Sequence, residues 1–136
     1  MALADLKKAI VHHRAGRLKE AAACYKTALA AADVLAPELR SRGFAGLAAL
    51  RLAQGGLEDA RRAGEAALED WPDNAEALNV LGVALMELKR PAAAVERLAR
   101  ALELVSGPGL AGIHNNLGAA LLDLGRHRQA ADHISR

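Results

Sequence analysis

The sequence predicts an all-α protein, an α-solenoid of stacked antiparallel helix hairpins, and three observations support this fold class. First, HNNLGAALLDLG at residues 114–125 nearly repeats LNVLGVALMELK at residues 78–89, and internal repetition of this kind is typical of solenoids. Second, alanine and leucine, the strongest helix formers, dominate the apolar residues, whereas Trp, Tyr and Phe occur once each. Third, glycine and alanine recur at helical spacing, which allows neighbouring helices to pack closely.

Residues 75–108 contain the clearest predicted hairpin. The first helix carries apolar or small residues at helical spacing on one face, namely Leu78, Leu81, Gly82 and Leu85. Lys89-Arg90-Pro91 interrupts this pattern, and Pro91 suits the first turn of a new helix because its missing N–H has no partner there in any case. The second helix has its helically spaced residues at Ala94, Leu98 and Ala101.

This arrangement resembles the tetratricopeptide repeat family, whose pattern is W-x₂-L-G-x₂-Y, then A-x₃-F, then P, with a period of about 34 residues. Ser106 stands where the family has proline. The resemblance covers the whole chain and implies a right-handed solenoid that forms a single domain over residues 1–136. About four units are expected, the last truncated at the end of the sequence: 2–35, 41–74, 75–108 and 111–136.

The other units match this pattern less well. In the first unit, Asp5, Lys8 and His12 occupy apolar slots, so we expect a shifted helix that uses Leu6 and Ile10 instead. In the second unit, Arg51 and Gly64 replace large apolar residues, which predicts looser packing. The fourth unit supplies Leu117, Gly118 and Leu121, followed by Ala130 and Ile134 for a second helix that is not completed.

Residues typical of helix termini support these boundaries. Asp73 with Glu76 three residues later resembles a capping box. Gly16, Gly55 and Gly125 stand where a left-handed residue would end each first helix. The matching position of the third unit is Lys89. Either Lys89 adopts this conformation at some cost, or the turn differs and Pro91 enforces the new start; we favour the different turn.

No pattern of a catalytic, metal or cofactor site is present in the sequence. It contains no HExxH or CxxC, and His12 and His13 point about 100° apart on a helix and cannot chelate one ion together. Cys24 lies in mid-helix without an activating basic cluster, which favours a buried structural thiol. Gly107-Pro108-Gly109 is interpreted as a turn between repeats because no GK[ST] follows it. We therefore expect a nonenzymatic protein without cofactor.

Charge and hydropathy limit the partners. A net charge of +2 gives no strong indication of nucleic-acid binding. No stretch of about eighteen apolar residues predicts a membrane helix, and the charged start of the sequence does not resemble a secretory signal. These features predict a cytoplasmic protein whose partners are other proteins or peptides.

In the tetratricopeptide family the first helix of each unit lines a concave face, which implies a peptide-binding groove here. The inferred groove residues are Leu6, Ile10, His13, Arg42, Ala45, Ala49, Leu52, Asn79, Val83, Met86, Asn115, Asn116 and Leu122. Asn116 occupies the slot of the asparagine ladder in repeats that resemble those of O-linked N-acetylglucosamine transferases, but the other units lack it. With Arg42 as the main central cation, the carboxylate clamp of chaperone-binding members is incomplete, so a hydrophobic or amphipathic segment is the expected ligand.

The sequence leaves two functional hypotheses open. The first is a noncatalytic scaffold that binds a partner segment in the groove. The second is the substrate-recognition part of a larger enzyme, because the repeats resemble those that precede bacterial glycosyltransferase or sulfotransferase domains. Compatible with either is self-association through the fourth unit, where apolar surface around Leu121 and Ile134 lacks a capping helix.

Overall fold

The computed structural model describes residues 2–30 and 35–135, with side chains described as far as residue 128. This part of the chain is all-helical, and the helices are α1 (Ala2–Arg14), α2 (Leu18–Ala30), α3 (Pro37–Ala53), α4 (Leu57–Asp70), α5 (Ala75–Glu87), α6 (Pro91–Leu104) and α7 (Leu110–Ser135). None of these helices combines the length and apolar character that crossing a membrane requires.

Consecutive helices pack as hairpins, and the hairpins stack on one another. The pairs are α1 with α2, α3 with α4, and α5 with α6, while α7 packs against the last pair. Contacts between α3 and α5 and between α5 and α7 join the units into one continuous layer. The predicted all-α solenoid of helix hairpins is therefore confirmed.

Small residues at the helix contacts permit the close packing that the sequence predicted. A Cβ built on Gly82 would lie 2.5 Å from Leu98 Cγ of α6, closer than two carbons can approach. A Cβ on Gly46 would likewise lie 2.5 Å from the Tyr25 hydroxyl of the preceding hairpin. The expectation of looser packing at Gly64 is wrong, because this buried glycine lies against Leu81, whose Cβ would be 3.2 Å from an added Cβ.

The turns after α1, α3 and α5 each contain one residue in the left-handed conformation. Gly16 and Gly55 have φ values of +79° and +81°, as predicted. Lys89 has a φ of +65°, so the expectation of a different turn there is wrong. The backbone N–H of Arg90 donates to Leu85 O at 2.9 Å, just as that of Gly56 donates to Arg51 O at 2.8 Å. These hydrogen bonds hold the lysine in a conformation that normally favours glycine.

The cap of α5 lies one residue later than predicted. Asn74, not Asp73, is the N-cap, and its side-chain Oδ1 accepts a hydrogen bond from the Ala77 backbone N–H at 3.2 Å. Asn74 Nδ2 donates to Ser41 Oγ at 2.9 Å, and Ser41 donates in turn to Ala67 O at 2.7 Å. The cap therefore belongs to a buried polar network that joins α3, α4 and α5, which explains why an asparagine fits there better than the exposed Asp73.

Both ends of the chain depart from the repeat pattern, α1 in its register and α7 in its length. In α1 the shifted register is confirmed, because Leu6 is buried against α2 and Ile10 packs beside it. Cys24 is half-buried next to the same cluster. At the other end, the predicted helix break at Gly125 is wrong, since α7 runs without interruption from Leu110 to Ser135. The fourth unit is thus one long helix, and the side chains of Ala130 and Ile134 lie outside the described residues.

Candidate functional site

The first helices of the units, α1, α3, α5 and α7, form one layer of the molecule, and α2, α4 and α6 form the other. We call the exposed side of the first layer the inner face. Three of the residues predicted to bind a peptide, Ile10, His13 and Arg42, come together on this side although they lie on different helices.

These three residues line a cavity of about 630 Å³ between α1, α3 and the start of α5, here called the α1–α3–α5 pocket. Its lining consists of Ile10, His13, Arg14, Tyr25, Arg42, Trp71, Asn74, Ala75 and Glu76. The pocket combines apolar and aromatic surface with two guanidinium groups and one carboxylate, that of Glu76, so its cationic groups outnumber its anionic group. This combination suits an apolar side chain whose neighbour carries a negative charge.

Tyr25 forms the polar floor of the pocket. Its ring is buried, and His13 Nδ1 lies 3.2 Å from the Tyr25 hydroxyl, with the two rings edge to face at a centroid distance of 6.0 Å. Burial raises the pKa of the Tyr25 phenol, the negative charge of Glu76 raises it further, and Arg14 lowers it. The hydroxyl therefore stays neutral at physiological pH and can both donate and accept a hydrogen bond.

Trp71 is the most prominent of the six lining residues that the sequence analysis did not predict. It is the single tryptophan of the chain and lies just after α4, where its backbone is extended and its N–H bonds to Ala67 O. The prediction considered only the first helices as groove-forming, so a residue in the connection between α4 and α5 was not included. The rarity of tryptophan in this chain, next to the Pro72 turn, was the available signal.

A second polar feature of the inner face joins α5 to α7. Asn116 Nδ2 donates to Asn79 Oδ1 at 3.0 Å, and both side chains are half-buried. Two predicted groove residues are thus brought into contact, whereas Asn115 is exposed beside them. This hydrogen bond uses neither the Asn79 amide N–H groups nor the Asn116 side-chain oxygen.

The structure separates the remaining predicted residues into three groups. Leu6 and Ala45 are buried in the core, at 3% and 0% exposure, so their assignment to a ligand-contacting surface is corrected. Half-buried side chains on α3 and α5 offer partial surface and are Ala49, Leu52, Val83 and Met86. Leu122 is 58% exposed on α7.

Comparison with known proteins agrees with this architecture. A family model described as tetratricopeptide repeat matches residues 45–111. No curated protein sequence matches the chain significantly.

Solved structures of tetratricopeptide repeat domains superpose on most of the chain. The C-terminal tetratricopeptide-containing domain of a Plasmodium falciparum FK506-binding protein aligns with a TM-score of 0.83 and 21% identity, covering 94% of this chain and 91% of that one. The TPR2B domain of yeast Sti1 in complex with pHsp70 gives a TM-score of 0.77 and 19% identity, covering 89% of this chain and 96% of that one. YrrB, titled as a tetratricopeptide protein with an unusual peptide-binding site, gives 0.75 and 22%, covering 99% and 66%.

At these identities the structural likeness establishes the fold and nothing about the ligand. With the family match and the stacked hairpins, it defines an α-solenoid interaction module. Residues 45–111 match the tetratricopeptide repeat family, and the chain has the fold of tetratricopeptide repeat domains.

Proposed function

We propose that this protein is a noncatalytic scaffold that binds a segment of a partner protein along its inner face. The observation that carries the proposal is the α1–α3–α5 pocket, where Ile10 and Trp71 provide apolar surface beside the guanidinium groups of Arg14 and Arg42. An apolar side chain of the ligand would occupy the pocket, and a neighbouring carboxylate would pair with one of the arginines. The preferred ligand is thus an amphipathic peptide with acidic residues.

The hydrogen-bonded pair of Asn79 and Asn116 supports binding of the ligand along the same inner face. Asn79 and Asn116 offer one more donor and one more acceptor on the inner face, which is the combination that a peptide main chain needs. Val83 and Met86 lie half-buried on α5 and can contact ligand side chains. We therefore place the ligand from the pocket at α1 towards α7, with main-chain contacts at the asparagines and an apolar anchor at Trp71.

Fluorescence provides a direct test because Trp71 is the single tryptophan. Titration with a panel of acidic amphipathic peptides is expected to change its emission, with a Kd of micromolar order, about −8 kcal/mol. Labelled-peptide anisotropy then compares the wild type with Arg42→Ala and with the double variant Asn79→Ala, Met86→Ala. Both variants should bind more weakly, whereas Arg62→Ala, on the exposed side of α4, should not. Binding that is unaffected by both Arg42→Ala and the double variant excludes the inner face.

We propose a second function for the same groove. In it, the chain is the substrate-recognition part of a larger glycosyltransferase- or sulfotransferase-type enzyme. Its support is the resemblance of the repeats to those that precede such domains. A reading frame that continues beyond Arg136 into a catalytic domain would establish it, and a stop codon there would remove it. In either context we propose a cytoplasmic location.

We also propose that the chain self-associates through its C-terminal unit. Leu121 and Leu122 of α7 are 50% and 58% exposed, which is unusual for adjacent leucines of a helical layer. Light scattering over a range of concentrations tests this directly, and a strict monomer would refute it.

A further inference from the structure

The contact between the first two hairpins is spaced differently from the contact between the second and the third. Alignment of the repeats places Tyr25 of α2 at the position of Gly64 of α4. Gly64 lets α4 approach α5 so closely that a Cβ built on it would lie 3.2 Å from Leu81 Cβ. Tyr25 instead directs its ring at α3, where its hydroxyl lies against Gly46. The tyrosine therefore separates α2 from α3, whereas the glycine brings α4 against α5.

The wider spacing leaves one side of α3 accessible between α2 and α4. Three residues of α3 are half-buried there, although the residues at the same positions of α5 are buried. The half-buried residues are Phe44, Leu47 and Arg51, which correspond to Leu78, Leu81 and Leu85. With Lys26 of α2 and residues of α4, they line a cavity of about 400 Å³, here called the α2–α4 groove. The groove thus has an aromatic floor, and an arginine where the next unit has a leucine.

The charged groups of the α2–α4 groove are mostly cationic. Its one carboxylate, that of Asp59, lies 3.7 Å from Arg62 of the same helix, so these two charges offset each other. Arg51 Nη1 donates to Gln54 Oε1 at 3.0 Å, which leaves its positive charge uncompensated. Lys26 is exposed and has no hydrogen bond or ion pair with another described residue. Two positive charges beside apolar surface are therefore available to an anionic ligand.

The corresponding groove between α4 and α6 has the opposite character. It has a volume of about 300 Å³ and is lined by Glu65, Leu68, Glu69 and Arg97. Glu65 stands at the position that Lys26 has in the first hairpin. Carboxylates outnumber the cation there, and none of the lining residues is aromatic. Of these two grooves, the one between α2 and α4 suits an anionic ligand with an apolar part.

We propose that the α2–α4 groove is a second ligand site, which binds a segment of a partner protein with one aromatic side chain between carboxylates. The aromatic side chain packs on Phe44 and Leu47, and the carboxylates pair with Lys26 and Arg51. The groove opens between α2 and α4, in the layer opposite the inner face, so the site does not depend on the function proposed above. A scaffold with both sites holds two segments at once.

Nuclear magnetic resonance of the ¹⁵N-labelled protein tests the proposal residue by residue. The probe is the peptide Asp-Glu-Phe-Glu-Asp, acetylated and amidated at its ends. Binding in the groove should shift the backbone amide signals of Lys26, Phe44 and Leu47, whereas binding at the inner face shifts the indole signal of Trp71. Arg42→Ala, a change in the α1–α3–α5 pocket, should leave the groove signals unaffected. No shift of the groove signals at about 1 mM peptide, the weak end of specific binding, overturns the proposal whatever Trp71 shows.

Two variants test the contacts within the groove. Lys26→Glu should weaken binding there by at least about tenfold, because an attractive charge becomes a repulsive one. Arg51→Leu introduces the leucine that Leu85 provides in the third unit, and should weaken binding without lowering thermal stability. Groove binding that both variants leave unchanged overturns the proposal.

The controls separate a specific site from general charge attraction and from another class of ligand. Lys8→Glu makes the same change of net charge on the exposed part of α1, outside the groove, and should leave binding nearly unchanged. A loss equal to that of Lys26→Glu would mean that the peptide is attracted by net charge alone, which overturns the site. A single-stranded oligothymidylate that shifts the groove signals at lower concentration than the peptide would overturn the protein ligand in favour of nucleic acid.

Discussion

Gly82 of α5 and Leu98 of α6 approach so closely that a single added carbon on the glycine would lie 2.5 Å from Leu98 Cγ. Leu98 is fully buried, and Leu81 and Leu85 pack beside the same contact. The absence of a side chain at residue 82 thus sets the distance between the two helices of the central hairpin. No atom of the described residues lies within 4 Å of a Cβ built on the corresponding Gly118 of α7, so the glycines of the two repeats have different energetic roles.

The contrast between Gly82 and Gly118 predicts that substitution by alanine has opposite effects on the free energy of unfolding at the two positions. Gly82→Ala should destabilise the fold by about 1–3 kcal/mol, because overpacking outweighs the gain in helix propensity. Gly118→Ala should stabilise it by up to about 1 kcal/mol, since only propensity changes there. Urea denaturation followed by circular dichroism measures both values. Equal effects at the two sites would contradict the packing role assigned to Gly82.

The Asn74 network predicts a large cost for a small truncation. Asn74→Ala removes the cap of α5 and the hydrogen bond to the buried Ser41 hydroxyl, so we expect a loss of about 2–3 kcal/mol. Asn74→Ser should recover part of this loss because serine is also a good N-cap. Asp73→Ala is the control: Asp73 is exposed and forms a 2.7 Å ion pair with Arg100, and because such surface ion pairs contribute little, we expect a much smaller change than for Asn74→Ala. A similar cost for Asp73→Ala would instead favour the capping box predicted from the sequence.

The strained turn at Lys89 predicts a stabilising substitution. Lys89 is exposed at a φ of +65°, where glycine carries no penalty, so Lys89→Gly should raise the free energy of unfolding by about 1 kcal/mol. The same change at Lys26, exposed within α2, should lower it by about 1 kcal/mol. Thermal denaturation of both variants gives the comparison. If Lys89→Gly were destabilising, the lysine side chain would have to make a contact worth more than the strain.

The sequence predicted the hairpins and their closest contacts because repetition and helical spacing are local properties. The location of the α5 cap was missed because it depends on a group distant in the sequence, the Ser41 hydroxyl on α3. The conformation of Lys89 was missed for a different reason: the turn is local, but its backbone hydrogen bonds to α5 outweigh the cost of a left-handed lysine. For the candidate site, the inner-face rule found Ile10, His13 and Arg42 but not Trp71, which reaches the pocket from a connection between units. The straight course of α7 past Gly125 was not predictable either, because glycine permits a helix end without requiring one.

The burial of Tyr25 predicts how stability changes at alkaline pH. The pKa of its phenol is raised above the ordinary value of 10.0 in the folded chain, first by burial and then by Glu76. Folding thus favours the neutral phenol, which adds to the free energy of unfolding. This contribution to stability is complete below pH 10.0 and declines as the pH rises through the higher pKa of the folded state. Tyr25→Phe removes the ionisable group and should lose less stability than the wild type between pH 9 and pH 11, roughly the range around the ordinary tyrosine value. Urea midpoints of both proteins across this range measure the difference; parallel curves would mean that the Tyr25 phenolate is tolerated in the folded state, by way of Arg14 or access of water to the pocket.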